Sequence, residues 1–298
     1  MKFIISLILV IFLLNCSAES NKTTIMTTCF PVYSIVKELV GNNVNVEILV
    51  PASVSPHTYS PKPTDIKKSN MANVFISIAD NYDGWSKTFQ TKRHIQLIEF
   101  LPDSLKIYFG ENFHIHKHDD GHNHSHSKDE LDPHFWLDPL TVKAILPKLA
   151  DTLSIIFPDL NNQIKNNANN FSKRLDLIHK ETLAHLRNVN GQGLFLQHPS
   201  FLYFANRYGL DYLGAIEESP GKEPGPKFLS ELINKIKQSG VPAIFTEPQL
   251  NKKAAEIIAK EANVFLYEID PVGNIQIHKN YSDLILKNAK IISKALSK

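Results

Sequence analysis

The sequence predicts an α/β protein of two parallel-sheet lobes bridged by a single long helix. Three observations predict it. Short β-rich runs alternate with helical patterns in both halves of the 298-residue chain, and that alternation builds right-handed βαβ units with parallel sheets. Between the halves the alternation stops, and an uninterrupted helical period takes its place. Histidines and carboxylates fall just beyond strand ends, where open parallel sheets bind their ligands.

Residues 1–18 read as a secretory signal peptide, with Lys2 ahead of an apolar run from Phe3 to Leu14 and small or polar residues after it. The run is shorter than the ~20 residues a membrane span needs. Leu13-Leu14-Asn15-Cys16 resembles a bacterial lipobox, with Asn15 where a small residue is usual, while Cys16-Ser17-Ala18 also fits an ordinary small-x-small cleavage site. Either way the chain is expected to be exported, to a periplasm or cell surface, with a lipid anchor at Cys16 in the first case. Cys29 is the second of two cysteines, so a disulfide in the mature chain is not expected and the fold must rest on its core.

The first lobe is assigned to residues 22–158. Strands are predicted at Thr23 to Thr28, Val44 to Val50, Val74 to Ala79 and Ile95 to Phe100, and helices at Tyr33 to Val40, stopped by Gly41, at Thr64 to Met71 and at Leu140 to Phe157, closed by Pro158. The linking helix occupies residues 159–190. Leu160, Ile164, Ala168, Phe171, Leu175, Ile178 and Leu186 recur at helical spacing there with no internal Gly or Pro. Such a helix runs roughly 40 Å at 1.5 Å per residue, enough to cross both lobes. Residues 191–298 form the second lobe, with strands at Leu194 to Gln197, Leu210 to Ile216, Ala243 to Thr246 and Val264 to Ile269. Its helices fall at Phe201 to Tyr208, Lys227 to Gln238, Lys252 to Ala262 and Tyr281 to Leu296.

A net charge of +2 without a basic stripe gives no sign of nucleic-acid binding. The strongest chemical signal is a tract holding six of the 13 histidines, His114, His116, His118, His122, His124 and His126. Imidazole suits zinc, copper and nickel, and a tract this poor in apolar residues collects metal rather than folding into a core. We read it as an auxiliary metal-collecting loop.

On the predicted skeleton, His57 follows the strand ending at Val50, His134 follows the last strand of the first lobe, and His198 and Asp270 follow strands of the second lobe. Three imidazoles and a carboxylate make a tetrahedral zinc set. Glu247, directly after Ala243 to Thr246, offers a further direct ligand, but orientation of an imidazole or capping of the next helix fits it better.

The segments around these residues carry a resemblance. Pro51 to Asp65 (PASVSPHTYSPKPTD), Asp132 to Pro139 (DPHFWLDP) and His198 to Gly209 (HPSFLYFANRYG) look like the three histidine motifs of the TroA-like superfamily, the solute-binding proteins of zinc ABC transporters, and most like its ZnuA type. Glu223-Pro224, Phe245-Thr246-Glu247-Pro248 and Asp270-Pro271-Val272-Gly273 follow in the family's order. The resemblance spans the mature chain. It implies a class III, metal-type solute-binding fold, with His57, His134 and His198 as zinc ligands and Asp270 as a fourth or nearby carboxylate. It also implies delivery of Zn2+ to a membrane permease driven by an ATPase, by a receptor expected to be monomeric. His198 stands where manganese-carrying relatives tend to have a carboxylate, and imidazole in place of a hard oxygen favours zinc. Pro56 stands where some zinc-type relatives have Glu, which leaves the fourth position to Asp270, water or a visiting loop histidine.

Two other readings compete. A secreted zinc hydrolase would also use three His and an open position, but the chain has no HExxH and no spare carboxylate in a general-base motif. A surface adhesin or passive zinc buffer would place the function in the histidine tract.

Overall fold

The structure, a computed structural model, describes residues 23–112, 130–222 and 224–297. The signal segment with Cys16, the histidine tract 114–126 and Glu223 lie outside them.

The first lobe runs β1 (Thr24–Thr27), α1 (Phe30–Val40), β2 (Asn45–Ile48), α2 (Pro63–Met71), β3 (Val74–Ser77), α3 (Asp80–Asp83), β4 (His94–Gln96), α4 (Phe109–Asn112) and α5 (Pro139–Ile156). Its strands form one parallel sheet in the order β2-β1-β3-β4. All four residues of β3 are buried, as a strand covered on both faces requires. Pro31 opens α1 and Gly41, at φ +61°, ends it, each at the helix end where its backbone suits it.

The helix predicted from the unbroken apolar period is α6 (Asn161–Leu186), 26 residues long. It buries Ile164, Ala168, Phe171, Leu175, Ile178, Thr182 and Leu186 along one stripe and packs on α1 and α5 from the first half and on α10 (Tyr281–Leu296) from the second. One continuous apolar core follows it, from Ile25 and Val74 through Phe171 to Tyr281 and Ile292.

The second half runs β5 (Gly193–Leu196), α7 (Leu202–Tyr208), β6 (Asp211–Ala215), α8 (Pro226–Ser239), β7 (Ala243–Thr246), α9 (Lys253–Ala262) and β8 (Phe265–Glu268) before α10. All pairings are parallel, but they form two two-stranded ladders, β5-β6 and β7-β8, rather than one sheet. β5 lies beside β7, and side chains bridge them: Gln197 Oε1, just past β5, accepts from Thr246 Oγ1 and from Glu247 N.

Another departure is the run Ile95 to Phe100. Only His94–Gln96 pairs as a strand, and Leu97–Phe100 turns into a 3-10 helix. β4 is the sheet edge with β3 as its sole ladder partner, and the chain leaves that ladder once Ile98 N reaches Ile78 O at 3.0 Å.

The halves are tied together at the floor of the cleft. Trp136 Nε1 donates to Pro271 O at 2.8 Å, Tyr281 Oη donates to Trp136 O at 2.6 Å, and Arg207 Nε donates to Asp138 Oδ2 at 2.8 Å. Gly273, at φ +71°, lets the second half approach α1, since a Cβ there would fall 2.8 Å from Phe30 Cδ1.

Candidate metal centre

Two segments beyond the carboxyl ends of strands, and a third in the long connection after β4, carry the site. His57 sits in a 3-10 turn, Pro56–Thr58, beyond β2. Trp85 Nε1 holds that turn by donating to Pro56 O at 2.8 Å, and the Tyr82 ring meets the His57 ring edge-on at 4.4 Å. His134 directly precedes the 3-10 turn Phe135–Leu137, whose Trp136 is pinned from the second half. His198 follows β5.

Their Nε2 atoms converge. His57 and His134 lie 3.1 Å apart, His198 and His134 3.3 Å apart, and the donor atoms of all three fall within 4.8 Å of one another. Two nitrogens each about 2.05 Å from a tetrahedral zinc lie about 3.3 Å apart, so the two spacings to His134 are those of nitrogens that share a zinc.

The outer ring nitrogens meet carboxylates. His134 Nδ1 is 2.7 Å from Asp132 Oδ1, which also accepts from His134 N at 2.9 Å. His198 Nδ1 is 2.7 Å from Glu247 Oε1, a charge contact whose direction falls outside hydrogen-bond geometry, and Ser200 Oγ donates to that same oxygen at 2.8 Å. At His134 the carboxylate holds the proton on Nδ1 and turns the Nε2 lone pair inward. Lone pairs facing one another at this distance repel, and a cation between them removes the repulsion. His134, His198, Asp132 and Glu247 are all at most 4% exposed. Burial lifts the Asp132 carboxyl well above the usual carboxylate range; a dication at the far side of the ring acts in the opposite sense.

Asp270 stands apart from this tripod. Its Oδ1 accepts from Val272 N at 3.0 Å, Gly273 N at 2.7 Å and Gln249 Nε2 at 2.9 Å, closing the turn after β8. Of the four residues expected in the cleft from sequence, the structure brings together the three histidines. Glu247 takes the imidazole-facing position that its place after β7 allowed. Sequence reasoning gave no role to Asp132, although an Asp two residues before a ligand His was a readable signal. Tyr82 and the buried Glu217 had no signal at all.

The pocket over the tripod is lined by His57, Asn81, Phe109, Pro133, His134, His198, Pro199 and Pro220. Among the described residues, no helix is long and apolar enough to cross a membrane.

The profile of the family described as ZnuA, zinc-uptake complex component A, periplasmic, matches residues 25–295. The chain belongs to the ZnuA family. The zinc-binding lipoprotein AdcA of Streptococcus pneumoniae is 29% identical over 295 residues, covering 95% of this chain; the chain spans 58% of that relative's length. The crystal structure of Zn(II)-bound AdcAII from S. pneumoniae, in a variant form, superposes with a TM-score of 0.77 at 27% identity over 92% of this chain and 98% of the other. A crystal structure of ZnuA superposes equally well, with a TM-score of 0.77 at 24% identity over 92% and 99%, which supports the fold. The two-lobe fold of the ZnuA family with its long central helix is therefore the fold of this chain.

Proposed function

We propose that this chain is the extracytoplasmic zinc receptor of an ABC importer, taking Zn2+ onto His57, His134 and His198 and passing it to a membrane permease driven by an ATPase. The observation that carries the reading is the tripod itself: His57 and His198 Nε2 each at zinc spacing from His134 Nε2, two of the rings backed by buried carboxylates. Three imidazoles favour zinc over manganese, which prefers oxygen donors. Zinc-binding relatives support the same cargo.

The receptor captures and releases its cargo without chemical change. In this reading the fourth coordination place falls to water, to Asp270 or to a histidine of residues 114–126. Residues 114–126 act in this proposal as an auxiliary collector that raises the local zinc concentration. Residues 1–18 direct export, Cys16 is the lipid-anchor site, and the receptor acts as a monomer. The proposed domain boundaries stay at 158/159 and 190/191, on either side of the linking segment.

Calorimetric titration of the metal-stripped chain with zinc and with manganese tests the reading, using the intact chain and one lacking residues 114–126. One tight zinc site that survives the deletion, with manganese weaker, is expected. Loss of all tight binding with the tract would move the function out of the cleft. Because imidazoles bind metal only when deprotonated, zinc affinity is expected to fall as pH drops below about 6.5, by about one to three decades per pH unit according to how many of the three rings must lose a proton. A flat affinity between pH 7 and 5 would exclude an all-histidine site.

A further inference from the structure

Behind His198 a chain of buried polar groups runs away from the tripod and returns to the mouth of the pocket. Glu247, against His198, donates its backbone N–H to Gln197 Oε1 at 3.1 Å. Gln197 Nε2 donates to Glu217 Oε1 at 3.2 Å and to Asn251 O at 2.8 Å. Glu217 Oε2 accepts from Gly221 N at 3.0 Å. Gln197 is fully buried, Glu247 2% exposed and Glu217 4% exposed.

A buried carboxylate with no cation against it is costly unless its oxygens are satisfied, and burial raises the Glu217 carboxyl above its ordinary range. Glu217 spends its two oxygens on different things. One is tied to the interior through Gln197, the other to the backbone of the segment Glu217 itself begins. That segment carries Pro220, which lines the metal pocket. It also brings Gly221 across the cleft to the His57 turn: a methyl at Gly221 would sit 3.5 Å from Thr58 Cγ2. Gly221 holds φ +84°, a conformation an L side chain adopts only under strain.

We infer that residues Glu217–Lys222 form a gate over the zinc pocket and that Glu217 is its positioning residue, latching the segment closed through Gly221 N and fixing the latch to the interior through Gln197. The gate touches no metal. It sets how fast zinc enters and leaves, while the tripod sets how tightly zinc is held. This inference rests on the receptor reading above.

Glu217→Gln keeps one acceptor oxygen and loses the other, and Gly221→Ala leaves the buried network intact but strains the closed turn. Stopped-flow zinc uptake, and zinc release into excess chelator, are measured on the full chain for both variants, with thermal unfolding of the metal-free proteins alongside. Each variant is expected to raise the on-rate and the off-rate together, roughly tenfold, with Kd changed less than threefold: Glu217→Gln by weakening a hydrogen bond at a charged acceptor, and Gly221→Ala by straining the closed turn. A role confined to supporting His198 would raise the off-rate alone and weaken Kd, which overturns the gate. Parental rates in both variants also overturn it and leave the receptor reading standing. Absence of tight zinc binding in the parent overturns both.

Discussion

Alanine at His134 is expected to abolish tight zinc binding, the largest single effect on affinity that any substitution in this chain should produce. His134 is the middle leg of the tripod, its Nε2 3.1 Å from that of His57 and 3.3 Å from that of His198. Without it the remaining rings are two donors on opposite sides of the cleft. Removal of an outer partner of a metal-binding imidazole typically weakens binding by about 10–100-fold. Asp132→Asn should fall in that range, and His134→Ala should exceed it. His134→Ala also strips Asp132 Oδ1 of its ring donor while Oδ2 already has no hydrogen-bond partner. Oδ1 keeps the backbone N–H of residue 134, so the metal-free protein should lose about 0.5–1.5 kcal/mol, the net worth of one hydrogen bond. Asp270→Asn supplies the contrast. Its Oδ1 is held by the turn after β8, an amide oxygen can accept the same bonds, and the affinity change should be smaller than for His134→Ala. Competition against a chromogenic chelator ranks the three variants. Parental affinity in His134→Ala would dismantle the assignment, and an Asp270→Asn loss as large as that of His134→Ala would put the carboxylate in the coordination sphere.

The parts of this molecule that could be read from its sequence are those governed by local period. β3 is a continuous apolar run because both its faces are covered; α6 shows its length because nothing interrupts its stripe from Ile164 to Leu186. His57 and His198 were legible because each lies just beyond a strand, and strand ends in parallel sheets share one rim, whereas His134, far along the connection after β4, was legible only through the motif around it.

What could not be read depends on partners distant in the chain. Ile95 to Phe100 has a strand-like composition throughout, yet β4 stops at Gln96 where its edge position offers no further ladder. The second half alternates as regularly as the first, but Gln197 bridges β5 and β7 with its side chain where one sheet was expected. Asp270 lies at a strand end like the histidines, and it is the following Val272 and Gly273 amides that hold its carboxylate in a turn. Glu217 reads as one acidic residue in a polar loop; only folding places Gln197 beneath it. Each case is a contest between a local pattern and a contact made across tens of residues, and the contact prevails.

Trp136→Ala is expected to give the largest loss of stability. The indole is 1% exposed and packs against Tyr82 at 5.0 Å, His134 at 5.2 Å and Phe135 at 6.1 Å between ring centroids. Truncation of a buried Trp costs about 3–5 kcal/mol. Here it also leaves Pro271 O without the donor that ties the second half to the first. At roughly 2–4 °C per kcal/mol for a chain of this size class, the metal-free melting temperature should fall by on the order of 10 °C in differential scanning calorimetry. The shape of the transition carries the further information. The core is continuous through α6 from one half to the other, so the parent should unfold in one transition; two resolved transitions in the parent would mean the halves are energetically separate. Trp136→Phe separates packing from the hydrogen bond, because it fills most of the space and removes only the N–H. His134 lies two residues before Trp136 on the same pinned segment. If Trp136→Phe recovers most of the stability but still binds zinc more weakly than the parent, the bond to Pro271 holds a ligand in register across the cleft. Recovery of both would make Trp136 a packing residue alone, and the aim of His134 would then rest on Asp132.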